Sequence, residues 1–288
     1  NNVFAKGLPP GTGSGDIPAN VLILLDKSGS MSWPVSTGGI TKPQAVAVDS
    51  ATRNSYVGMS SSIVRVKYDD MSVDDAWTFN NSGTCEMGDI KELRVHGNFL
   101  YVLDYSKDRL FRLTLTGAPA TCDWSVAIDN PISMDIKNDI LYSIDRNNLI
   151  VRNLSTNTEI TCSYSGNLQT NSRYAYAMAI DHSGSNMYVK YSSYTYRYVI
   201  DSTTKCPSTS YAAKITDSSG SRSYGMEAHP TDDSILYISD NWGHKIHKTT
   251  LNAAKTSVAS RISKGQCCTG NSTASTVRMY SPRGMAID

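Results

Sequence analysis

A short apolar segment recurs along the chain, and this repetition limits the fold more than any other feature. Six stretches share one form: QAVAVD (44–49), ELRVHG (92–97), ISMDIK (132–137), YAMAID (176–181), YGMEAH (224–229) and RGMAID (283–288). Their spacing of roughly 40 to 60 residues is that of a propeller blade. Five are followed by a second strand and a turn into a third: SYVGMSSSIVRVKY, FLYVLDYSKDRLFRLTL, ILYSIDRNNLIVRNL, NMYVKYSSYTYRYVI and ILYISDNWGHKIHKTTL. Each unit alternates apolar and polar residues with period two and is broken by Asp, Asn, Ser or Gly. A single blade cannot bury both of its faces, whereas blades stacked around an axis can. The pattern therefore predicts an all-β fold, a six-bladed β-propeller over residues 40–288.

Composition supports strands over charged helices. Only 18% of the 288 residues are charged, against about 25% in an average soluble protein, and there are 17 tyrosines. The net charge is +1 and no basic block stands out, so nucleic acid is not expected as a partner. The longest apolar run, Val21–Leu25, is too short to span a bilayer. Asn1-Asn2-Val3 lacks the charged start and apolar stretch of a secretory leader, so the chain reads as a mature or excised form.

The cysteines point to an oxidising compartment. Cys85, Cys122, Cys162 and Cys206 each follow the third strand of a unit and form no C-x-x-C zinc pair. They are disulfide candidates within or between neighbouring blades, and four cysteines allow three pairings. Cys267 and Cys268 are adjacent. Their Cα atoms lie about 3.8 Å apart, below the usual disulfide span, so each is expected to bond a different partner. Asn80, Asn153 and Asn271 open N-x-S/T sequons and are glycosylation candidates. Together these features predict an extracellular or cell-surface protein.

ILYISDNWGHKIHKTTL resembles an NHL repeat, and KPQAVAVD and SPRGMAID resemble the openings of such repeats. The resemblance to NHL-type propellers covers residues 40–288. It implies architecture and carries little about function.

The segment VLILLDKSGSMS, within 20–32, resembles the first strand and loop of a von Willebrand factor A domain. In that family D-x-S-x-S forms part of a metal-ion-dependent adhesion site. The resemblance implies Asp26, Ser28 and Ser30 as oxygen ligands for Mg²⁺ or Ca²⁺, with Gly29 easing the turn. No amphipathic helices of an A domain follow, and its later Thr and Asp ligands cannot be assigned. A propeller inserted into a split A domain would reconcile the two, as in surface or pilus-tip adhesins. The same segment, NVLILLDKSGSM (20–31), also aligns with the blade strand SILYISDNWGHK (234–245): Asp26 falls on Asp240, Gly29 on Gly243, and Asp104 and Asp145 hold the same place in two other units. On that reading it is a second strand closing blade six. Residues 1–19, rich in Pro and Gly, read as an arm or linker.

Other candidate sites compete with plainer roles. The first strands end in Asp49, His96, Lys137, Asp181, His229 and Asp288, which a propeller gathers around one mouth of its axis. An amidating lyase on an NHL-like propeller uses axial histidines with zinc. His96 and His229 with Asp49 and Asp181 are therefore the alternative metal-dependent, lyase-like site, although a catalytic zinc usually has three protein ligands. The plainer role is turn hydrogen bonding. His244 and His247 would face opposite sides of a strand. Tyr194, Tyr196 and Tyr198 share one strand face, as a sugar platform or as packing against the next blade. No nucleophile elbow, P-loop, H-E-x-x-H or dinucleotide fingerprint occurs. The leading expectation is an adhesion or assembly protein that binds protein or glycan without catalysis. The alternatives are the axial enzyme and a purely structural surface or filament subunit.

Overall fold

The computed structural model describes residues 43–67, 72–79, 83–117, 119–145, 148–162, 175–217, 223–265 and 284–286. These form five antiparallel sheets, each built in chain order from the axis outward. Blade 1 has β1 (Ala45–Asp49), β2 (Asn54–Gly58) and β3 (Ile63–Lys67). Blade 2 has β4 (Ile90–His96), β5 (Phe99–Asp104), β6 (Arg109–Thr114) and β7 (Thr121–Ala127). Blade 3 has β8 (Ser133–Lys137), β9 (Ile140–Ile144), β10 (Leu149–Asn153) and β11 (Thr158–Ile160). Blade 4 has β12 (Ala177–Ile180), β13 (Asn186–Lys190), β14 (Tyr194–Val199) and β15 (Ala213–Thr216). Blade 5 has β16 (Met226–Ala228), β17 (Ile235–Asp240), β18 (Lys245–Leu251) and β19 (Val258–Lys264). The first strands β1, β4, β8, β12 and β16 stand side by side in that order. The result is a five-bladed propeller arrangement.

Local chemistry sets the register. Lys137 pairs with Ile140, and the two residues between them, Asn138 and Asp139, both have positive φ (50° and 58°). That is the turn whose twist suits a two-residue hairpin, and Asn and Asp tolerate it best after Gly. The β4–β5 turn uses Gly97 at φ 55° in the same way.

The middle strands explain why a sheet with polar turns reads as apolar. In β5, Leu100 and Val102 join a cluster with Ala45, Ala47 and Tyr56 of blade 1. The alternate residues Tyr101 and Leu103 join Met134 and Leu141 of blade 3. Successive side chains point to opposite faces, and both faces are covered. FLYVLD is therefore almost continuously apolar, where an alternating pattern was expected.

The expected count of six blades is corrected to five. The sixth blade was to combine residues 283–288 with the segment at 20–31. Of these, the described residues are 284–286, which form no strand, and residues 1–42 lie outside the described chain. Met285 packs against Tyr237 and Ile246 of blade 5. Ala286 packs against Val46, Val57 and Val66 of blade 1. The sequence signature marks an apolar inner segment. A blade also needs paired strands outside it, and residues 284–286 have none among the described residues.

Two disulfides reinforce the ring. Cys85, in a short 3-10 turn before β4, bonds Cys122 on β7 within blade 2. Cys162, just after blade 3, bonds Cys206 beyond β14 and so ties blade 3 to blade 4. The Cα separations of 5.8 and 5.5 Å are ordinary for such bonds.

Candidate functional site

The registers place the start of each first strand beside the end of the second. Ile90 pairs with Asp104, and Ser133 with Ile144. One face of the ring therefore collects the entries of the first strands and the turns between second and third strands.

Aspartates cap three of those turns. Asp104 is fully buried and accepts backbone N–H groups from Gly88, Asp89, Ser106 and Lys107, together with the Ser106 hydroxyl. Asp145 accepts from the Asn148 backbone and side-chain amides. Asp240 accepts from the Trp242 and Gly243 N–H groups, with His247 Nε2 3.5 Å away. Each carboxylate supplies acceptors that the reversing backbone would otherwise lack. A Cβ at Gly243 would meet Asp240 Oδ2 at 2.1 Å, so any larger residue there must displace the capping carboxylate.

Two of these caps present aromatic side chains to solvent. Tyr105 follows Asp104 and is 42% exposed, and Trp242, two residues after Asp240, is 61% exposed. They stand on blades 2 and 5, on the same face.

The axis between those two blades is occupied by charge. Arg94 of β4 reaches across to Glu227 of β16, with Nη2 2.7 Å from Oε1. The same Nη2 lies 2.7 Å from Glu92, and Nε lies 3.4 Å from Asp135 of β8. These are contacts of charge, since neither nitrogen meets an acceptor at hydrogen-bonding angles. Burial works against the guanidinium charge, but the three carboxylates outweigh it and hold the Arg94 pKa above its ordinary value. Burial raises the Glu92 carboxyl, opposed by Arg94 and by the Met134 N–H. Glu227 is pushed up to about 8, chiefly by burial.

The axial pocket above this cluster has a volume of about 290 Å³ including its open mouth. Its lining includes Lys91, Glu92, Arg94, Tyr224, Glu227 and Met285. Its enclosed part has room for about one water molecule, well below a small-molecule site. The Lys91 ammonium sits 4.9 Å above the Tyr224 ring.

The axial candidates named from sequence lie on the opposite face, each in local contacts. His96 Nε2 is 2.6 Å from Asp139. His229 Nδ1 accepts from the Thr231 N–H, its ring stacks on Tyr237, and burial lowers its pKa. Asp49 accepts from Thr52, and Asp181 caps the turn to Asn186 and pairs with Lys255. No group of three His, Cys, Asp or Glu suited to a metal is present among the described residues. Tyr196 and Tyr198 are buried in a cluster with Tyr142 and Val151 of blade 3, and Tyr194 packs partly against it. Asn153 spends its Oδ1 on the N–H groups of Ser155 and Thr156. His247 is buried beside Asp240 and Ser263, while His244 sits in the turn at φ 55°. Asp26, Ser28, Ser30, Cys267, Cys268, Asn80 and Asn271 lie outside the described residues.

The axial cluster was not singled out from sequence. Its signal lay inside the repeat: ELRVHG, ISMDIK and YGMEAH carry Arg94, Asp135 and Glu227 where QAVAVD and YAMAID carry Ala47 and Ala179.

No protein-family model matches the chain, and no curated protein matches it. Among solved structures, a propeller chain in the crystal structure of a nidogen/laminin complex is similar at a TM-score of 0.54 and 12% identity, covering 85% of this chain and 84% of that one. The computationally designed Ika8 protein is similar at 0.53 and 8%, covering 78% and 63%. At these identities the likeness shows the propeller fold alone.

Proposed function

We propose that the chain is an extracellular adhesion or assembly module that binds a protein or glycan partner through the face bearing Tyr105 and Trp242, without catalysis. The observation that carries this reading is the pair of exposed aromatics on aspartate-capped turns. Aromatic residues held rigidly lose little entropy on binding and recur as interface anchors. From strand spacings of about 4.8 Å, the two lie on the order of 20 Å apart across the axis. A standard protein interface of roughly 800 Å² per partner covers that span. The disulfides suit an oxidising, extracellular setting, and no helix among the described residues is long and apolar enough to cross a membrane.

Further support comes from resemblance. The matched propeller was solved in a nidogen/laminin complex. The NHL-like units and the A-domain-like segment are what adhesins combine. In this reading Asp26, Ser28 and Ser30 hold Mg²⁺ or Ca²⁺ and contribute to adhesion.

The test is binding of the immobilised protein to purified extracellular-matrix proteins and a glycan array, with and without EDTA. Trp242→Ala should weaken the strongest interaction at least tenfold while leaving the melting temperature unchanged. Asp26→Ala should abolish the EDTA-sensitive part. Binding indifferent to Trp242→Ala and Tyr105→Ala would sink the assignment of this face.

A further inference from the structure

We propose that Arg94 and Glu227 form a proton-controlled clasp across the propeller axis, whose buried cluster of acids holds the ring together while Glu227 carries a proton and destabilises it when a third negative charge appears there. The geometry identifies which carboxyl takes up the proton. Three carboxyls share one guanidinium, so one positive charge faces three acids. Glu92 also accepts the Met134 N–H at 2.6 Å. Asp135 accepts the N–H groups of Ile136 and Ile180 at 2.8 and 2.7 Å. The Met134 donor favours the ionised form of Glu92, and two backbone donors occupy the Asp135 oxygens. Among the described residues Glu227 has no backbone donor, and its charge partner is Arg94. The third negative charge therefore falls on Glu227, and protonation there removes it at least cost.

The surroundings reinforce this. Arg94 and Glu92 face Glu227 from β4, and Asp135 from β8. The neighbouring strands β12 and β1 and residues 284–286 bring no ionisable side chain to the pocket. Lys91 lines the same pocket but sits over the Tyr224 ring. The strand that carries Glu227, β16, has three residues and is the shortest of the first strands. It pairs with β17 at Met226, Glu227 and Ala228, and backbone hydrogen bonds at Gly225 and His229 extend the contact at either end. A change of charge at the axis thus acts on the shortest of the inner strands.

The folded-state pKa of about 8 lies above the ordinary carboxyl value of 4.5. Between those values the folded chain holds a proton that the unfolded chain has released. Stability is then greatest on the acid side of the window, falls as pH rises through it, and has lost the whole contribution above pH about 8. A single proton steepens the unfolding equilibrium by up to about tenfold per pH unit.

The full chain, wild type and Glu227→Gln, should be melted from about pH 5.5 to about pH 9, across the window in which Glu227 loses its proton. The wild type should lose stability towards alkaline pH, and Glu227→Gln should flatten that dependence by up to about tenfold per pH unit. Glu92→Gln removes one of the three negative charges and should weaken the alkaline slope without abolishing it. An unchanged slope in Glu227→Gln overturns the clasp. If that variant does not fold, carboxyl-carbon NMR titration of the wild type replaces it. A Glu227 midpoint far above the ordinary carboxyl range supports the clasp, and an ordinary midpoint overturns it.

Discussion

Asp104, Asp145 and Asp240 show how much one residue can decide. Each sits at the end of a second strand and turns an unfavourable reversal into a satisfied one. Their alignment was legible in the sequence, because the acid recurs at one place in successive units. Their burial was not legible, because it depends on donors such as Gly88 and Asp89, which lie on the neighbouring first-strand entry. Asp104→Ala leaves several buried N–H groups without an acceptor and should cost about 3 kcal/mol in urea unfolding. Gly243→Ala forces a Cβ into the Asp240 carboxylate. It should cost about 1–2 kcal/mol, with a change in Trp242 fluorescence as the cap shifts.

At the scale of elements, apolar periodicity located the five blades, because strand-length runs punctuated by Asn, Asp and Gly have few other uses. It overcounted where one inner segment, residues 284–286, fills space between blades 5 and 1 without strand partners among the described residues. The pairing of cysteines could not be read either. Cys85 reaches Cys122 only because the 3-10 turn before β4 folds against β7, and Cys162 reaches Cys206 across two blades. These bonds close loops of 37 and 44 residues. By loop entropy each stabilises the fold by about 4 kcal/mol. Replacing Cys162 and Cys206 together by Ser should lower stability by close to that amount. It should also loosen blade 3 against blade 4 in hydrogen exchange, while blade 2 keeps its protection.

Across the whole molecule, charge gathers where the inner strands of blades 2, 3 and 5 converge. Propeller closure alone brings Arg94 to Glu227, residues far apart in sequence and on blades that do not touch through their sheets. A reader of the sequence sees unremarkable charges inside strands; only the ring makes them one group. Arg94→Met removes the shared cation and strands three acids in a buried site. It should cost about 3–5 kcal/mol near neutral pH, measured by denaturant unfolding. The loss should be smaller in the Arg94→Met, Glu227→Gln double variant, since fewer charges are left unpaired.

The two-sided central strands carry a consequence for synthesis. As the chain emerges from its N-terminal end, blade 2 finds blade 1 already waiting for Leu100 and Val102. Tyr101, Leu103 and Leu110 on its other side stay bare until Met134 and Leu141 have been made. Every blade but the last is left in the same way for the time its successor takes to appear, and exposed strands of this kind invite aggregation. The order of translation thus becomes an order of protection: each newly made blade is both the shelter of the one before it and the next surface in need of cover.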